Sequence, residues 1–227
     1  MRKLYYVPLI HAETDLGSLG IDVDRRGKAV AGEERWKCHR ATVSRYWDVI
    51  AEYLRRMDVE GFKIYQDGLL AGGELGMNIA EKVAANGSKN FSLVLEMVER
   101  GAILMKTESD EFLIKEYQRL LDFARADSLV KRSVALVKYR MGKRDLTKKR
   151  DVFIALTING TLEEGETGIL LLGAYHEVEP MLSRDIEVVN LKDREKLLGY
   201  MKEVAVGRDQ GRLRELADYL ASPVSVS

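Results

Sequence analysis

The chain holds three histidines, and two of them, His11 and His176, stand just beyond runs of apolar and bulky residues. His11 follows Val-Pro-Leu-Ile, and His176 follows Leu-Leu-Gly-Ala-Tyr. Asp67 follows a third such run, Lys-Ile-Tyr-Gln. If the runs are parallel strands, all three residues meet at one sheet edge, where ligands gather in open α/β folds. An imidazole titrates near neutral pH, so it can take a proton, return one, or ligate a metal. Carboxylates beside it can orient the ring or complete a coordination shell, and Glu13, Asp15, Asp67, Glu177 and Glu179 are available. His11, His176 and Asp67 together can hold a divalent metal and acidify a bound water, which serves hydrolysis. The same set can also work as acid and base without metal. The plainer alternative is that each histidine caps a strand or satisfies loop backbone.

Other groups point less sharply. Arg150 and Asp151 read as the opening of a helix with Phe153, Ile154, Ile158 and Leu162 on its apolar face; Arg150 there can clamp an anion. The competing reading is a solvated charge pair in the charge-rich stretch Lys143 to Asp151, with Asp151 favourable to the helix dipole. Glu108, after Met-Lys-Thr, either joins the same edge or caps the next helix. His39 beside Cys38 reads as structural, because adjacent helical positions diverge. Gly68, Gly72 and Gly73 lack the spacing of a phosphate loop or a dinucleotide fingerprint, and serine-hydrolase elbows, His-Glu-x-x-His and paired cysteines are absent.

The elements that would position these groups follow from periodicity. Strands are expected over Lys3–Ile10, Gly61–Gln66, Ala102–Lys106, Thr167–Leu172 and Ile186–Leu191, the fourth apolar throughout as suits a strand covered on both faces. Helices are expected over Glu33–Met57, Leu75–Ala85, the Leu93–Val98 face, Phe112–Ala126, Leu129–Tyr139, Lys148–Leu162, Arg194–Val204 and Arg212–Leu220, with a break over Gly142–Thr147. The glycine-bearing stretch His11–Gly32 reads as a long functional loop or lid. Strands alternating with helices imply a mostly parallel sheet flanked by helices, with a helix-rich middle, in one α/β domain spanning residues 1–227. That length fits one sizeable core. With 46% apolar and 32% charged residues the chain is globular, and 36 basic against 36 acidic residues argue against nucleic acid as partner. One cysteine rules out an internal disulfide and, with no span for a membrane, suggests the cytoplasm.

The run Arg150 to Leu182, RDVFIALTINGTLEEGETGILLLGAYHEVEPML, resembles the C-terminal signature of the TraB, ChaN and erythromycin-esterase-like superfamily. In that superfamily an Arg-bearing helix precedes a buried strand ending in Gly-x-x-His, as in Gly173-Ala-Tyr-His176. The resemblance extends to a histidine after the first strand, His11, and an acidic residue after the second, for which Asp67 is the counterpart. It departs in having Pro-Leu-Ile-His where Gly-x-x-His is usual, and Gln66-Asp67 where Glu is usual. The resemblance implies hydrolases, metal-dependent proteases or a haem-binding protein, and it gives Arg150 an active-site role with Asp151 as its neighbour.

Three functions follow as expectations. The first is a hydrolase acting on a small molecule or peptide, with or without a divalent metal at His11, His176 and Asp67, and with Arg150 holding substrate charge. The second is a non-catalytic pocket for haem or another small ligand, with a histidine as axial ligand. The third is an interaction protein, a homo-oligomer whose Trp36 and Trp47 segment forms the subunit interface.

Overall fold

A computed structural model describes residues 1–15, 20–115, 118, 129–207 and 209–225, for 26 and 129–144 the backbone alone. Five strands, β1 (Arg2–Leu9), β2 (Lys63–Gln66), β3 (Ile103–Met105), β4 (Thr167–Gly173) and β5 (Ile186–Asn190), form one all-parallel sheet in the order β3-β2-β4-β1-β5. The expected α/β architecture is therefore present, and the strand with the most continuous apolar run, β4, lies at its centre. Side chains alternate across the sheet as the two-residue strand period requires. Val7, Leu9, Ile64, Ile169 and Leu171 face one core. Leu4, Tyr6, Tyr65, Leu170 and Leu172 face the other.

The helices whose bounds lie within the described residues are α1 (Gly20–Ala31), α2 (Glu33–Arg55), α3 (Gly73–Ala85), α4 (Lys89–Glu99), α5 (Leu129–Thr161), α6 (Arg194–Val206) and α7 (Gln210–Ala221). On the first face the larger core takes in Val43, Trp47, Ile50 and Leu54 of α2, Phe91 and Val94 of α4, Leu197 and Tyr200 of α6 and Leu220 of α7. The second face is covered by α5 through Ile154 and Ile158, with Leu162 just beyond it. Caps fix several helix starts: the side chains of Ser88, Asp193 and Asp209 accept hydrogen bonds from the backbone N–H groups of Phe91, Lys196 and Arg212.

Three expectations need correction. His11–Gly32 is not loop throughout, because α1 occupies most of it despite Gly20 and Gly27. Gly27 is there for packing: a Cβ at this position would fall 2.3 Å from the Trp36 indole. The expected break at Gly142–Thr147 does not occur, and α5 runs through it, since one glycine costs a long helix only about 1 kcal/mol. Arg150 and Asp151 thus sit inside a helix rather than at its N-terminus. The expected helix Phe112–Ala126 lies mostly outside the described residues. Among the described residues, no helix is long and apolar enough to cross a membrane.

Candidate active site

The strands β2, β4 and β1 are neighbours, with Leu9 opposite Gly173 and Gln66 opposite Leu171, so they end nearly level. That register brings His11, Asp67 and His176 together. The Asp67 N–H continues the ladder to the Leu171 carbonyl at 2.8 Å. A tight turn returns the chain after β4, the His176 N–H donating to the Gly173 carbonyl at 2.9 Å. The end of β1 is tied to α2: the Tyr46 hydroxyl donates to the Pro8 carbonyl at 2.6 Å and the Trp47 indole to the Ile10 carbonyl at 3.4 Å. Asp15 closes the loop behind His11, accepting from the Ala12 N–H at 2.7 Å and from the Ser88 hydroxyl.

Asp67 is the hub. Its Oδ1 accepts from the Arg150 guanidinium at 2.8 Å and its Oδ2 from the Gly173 N–H at 2.9 Å. The same Oδ2 lies 3.5 Å from His11 Nε2 and 4.0 Å from His176 Nε2. Gly173 has no room for a side chain: a Cβ there would stand 3.0 Å from Asp67 Oδ2, 3.4 Å from the His176 ring and 3.6 Å from His11 Nε2. A glycine at the end of β4 is what lets one carboxylate and two imidazoles share the space.

The helix α5 supplies the second layer of charge. Leu146, Arg150, Ile154 and Ile158 recur every four residues, and Asp151 and Ala155 lie beside them, forming one buried stripe against the sheet. Arg150 is only 6% exposed. It spans two carboxylates, since its Nε also lies 3.1 Å from Glu108 Oε1. Asp151 pairs with His176, Oδ1 to Nδ1 at 2.5 Å, and its Oδ2 accepts from the Glu177 N–H at 3.1 Å. A carboxylate can only accept, so Nδ1 carries a proton, and in the neutral ring Nε2 presents its lone pair to the site.

The electrostatics follow from burial and these contacts. Burial opposes charge on Asp67, but hydrogen bonding to His11 and the electrostatic pull of His176, Arg150 and His11 win, holding its carboxyl well below the usual range. His11 is the converse: burial lowers its pKa, and Asp67 and Asp15 more than reverse this, so the imidazole holds its proton above the ordinary value. Glu108 is pushed up to about 7 by burial, which the Arg150 guanidinium only partly offsets.

All four expected site residues, His11, Asp67, Arg150 and His176, lie together on one cleft of about 790 Å³. The solvated-pair reading of Arg150 and the dipole reading of Asp151 are overturned, since both side chains are buried in ion pairs. Glu108 joins the cluster; Glu13 turns to Arg40, 3.4 Å away, and Glu177 is exposed beside Arg194. The trio His11, His176 and Asp67 does not fit a divalent metal. Both Asp67 oxygens already accept hydrogen bonds, a guanidinium stands against one, and no group of three His, Cys, Asp or Glu among the described residues is arranged as a metal site. Of the segment expected to form a subunit interface, Trp47 is buried in its own core and Trp36 lines the cleft. His39 is a cleft residue rather than a purely structural one.

Sequence reasoning undervalued Asp151 and Glu108. The signal for Asp151 was there: the apolar stripe of Ile158 and Ile154 continues one turn back onto Arg150 and Asp151, and charges on a buried stripe need partners. For Glu108 the signal was its place just after the expected third strand, which left edge and helix cap equally open because β3 is only three residues long. Compared with family models, curated proteins and solved structures, the chain matches none.

Proposed function

We propose that this protein is a metal-independent hydrolase of the kind suggested by its resemblance to the TraB, ChaN and erythromycin-esterase-like superfamily, and that its substrate is a carboxylic ester. The observation that carries the reading is the pairing of an Asp-oriented imidazole, His176, with a second imidazole, His11, whose hold on its proton Asp67 strengthens, across the same cleft. His176 Nε2 takes a proton from water as the water oxygen bonds to the ester carbonyl carbon. The His11 imidazolium stabilises the oxyanion that develops. Collapse of the tetrahedral intermediate breaks the bond to the alkoxy oxygen, and the leaving alcohol takes the proton from His176. Asp151 holds the His176 tautomer. Arg150 balances the buried charge of Asp67, so that this carboxylate does not draw the proton meant for His176, and it partly offsets the burial of Glu108.

The test is turnover of p-nitrophenyl and thioester substrates by the native protein and by His11→Ala, before and after exhaustive chelation. Ester hydrolysis that survives chelation and falls about a hundredfold in the variant is expected, the scale typical of a lost acid–base group. Hydrolysis that appears only on adding zinc, manganese or magnesium would return the site to the metal reading.

A further inference from the structure

The cleft that holds the histidine and carboxylate cluster does not end there. From His11 and His176 it continues as an arm between α1, α3 and α6, walled by Val30, Trp36, Val83, Phe91, Met201 and Val204. A pocket of this size encloses a drug-sized molecule, far more than a hydrolytic water and a small ester need. Among the described residues these walls are apolar and uncharged. His39 on this wall is pushed down to about 4 by burial and hydrogen-bonds Tyr200 at 3.1 Å, so it is neutral at physiological pH.

The wall is also fixed in advance. The Trp36 indole donates to Asp24 Oδ1 at 2.8 Å, lies flush on Gly27, and packs on the His39 ring at 4.7 Å. Tyr200 stacks on the far side of His39 at 5.7 Å. A rigid aromatic surface loses little entropy when a ligand docks. Opposite it, Val30 of α1 stands 66% exposed while lining the cleft, apolar surface left open to water at the mouth of a pocket.

We infer that the arm binds an extended apolar acyl group, so that the substrate is an ester of a medium-chain fatty acid whose carbonyl lies between His11 and His176. This rests on the hydrolase reading for the reaction, but acyl binding in the arm stands apart from it. An apolar chain is favoured here because, among the described residues, the arm's walls are mostly aliphatic and aromatic, whereas the charged groups of the cleft converge at one end.

Two readouts separate binding from chemistry. In the first, p-nitrophenyl esters from acetate to decanoate are compared by kcat/KM. In the second, fatty acids of the same lengths displace cis-parinaric acid from the protein, followed by fluorescence, which needs no catalysis. Both should improve about fourfold per added methylene until the arm is full, the increment expected for burying a CH₂ group. Val30→Asp, at an exposed position outside the catalytic cluster, should weaken decanoate binding at least about tenfold by placing a charge against the chain. It should lower kcat/KM for the decanoate ester far more than for the acetate ester. Val83→Trp, which fills the arm without charge, should do the same. Graded fatty-acid binding without turnover of any ester would overturn the hydrolase reading and keep the acyl arm. Binding and turnover indifferent to chain length, or undiminished in both variants, would overturn the arm.

Discussion

Asp67→Asn removes one negative charge from the hub of the site while keeping the side chain's shape, and His11 should report the loss. His11 Nε2 lies 3.5 Å from Asp67 Oδ2. Two unit charges at that distance attract by roughly 5 kcal/mol at an effective dielectric near 20. The His11 side chain is 38% exposed. Water therefore screens the pair, and on the order of 2 kcal/mol survives. At about 1.4 kcal/mol per pKa unit, the His11 pKa should fall by one to two units in the variant. Burial, opposed then by Asp15 alone, brings the imidazole to its ordinary value or below. The sign carries through to stability. A histidine whose folded pKa is raised contributes stability that is fully present below its unfolded pKa and lost as pH rises through the folded one. Asp67→Asn should erase that component. With only three histidines in the chain, their ring C2–H signals can be followed by NMR from about pH 4 to pH 9, which spans the histidine range. His39, which contacts Trp36 and Tyr200 rather than Asp67, is the internal control and should not move. A His11 titration within about 0.3 unit of the native protein would refute the electrostatic account, since a carboxylate this close must be worth more.

Other perturbations reach other parts of the cluster. Arg150→Met strands two buried carboxylates and should cost about 3–5 kcal/mol in urea unfolding, much of it recovered when Glu108→Gln and Asp67→Asn are added; a cost under about 1 kcal/mol would mean that the buried pairs are not as described. Because the folded pKa of Glu108 is raised to about 7, its contribution to stability is full below the unfolded pKa and declines as pH rises toward 7. Glu108→Gln should flatten that decline, a change of at most about 3 kcal/mol between pH 4.5 and 7, measured by thermal or urea unfolding at each pH. Gly173→Ala should push Asp67 away from His11 and His176, lowering the His11 pKa and ester turnover together while the far-UV circular dichroism stays native.

The sheet was legible because its strands are short apolar runs broken at polar residues, and the polar residues that end β1, β2 and β4 are the ones that meet. Strand order was not legible. That β4 inserts between β1 and β2 depends on long-range packing, and it is this order that sets His176 beside both His11 and Asp67. Arg150 and Asp151 were placed on the right element and misread there, because a supposed break at Gly142 made them a helix start, where charges face water. Inside an uninterrupted α5 the same spacing turns them onto the sheet. α1 was missed because glycines at 20 and 27 suggest loop; Gly27 serves instead as the flat seat of Trp36, a contact that no local pattern encodes.

The claim that matters most is that His176, oriented by Asp151, is the base. Its most direct test is kcat/KM of His176→Ala against the native protein on p-nitrophenyl octanoate in the presence of chelator, with the variant's fold confirmed by circular dichroism. A loss of about a hundredfold or more, with Asp151→Asn intermediate, is the predicted result. A His176→Ala protein that hydrolyses the ester at the native rate would contradict the account.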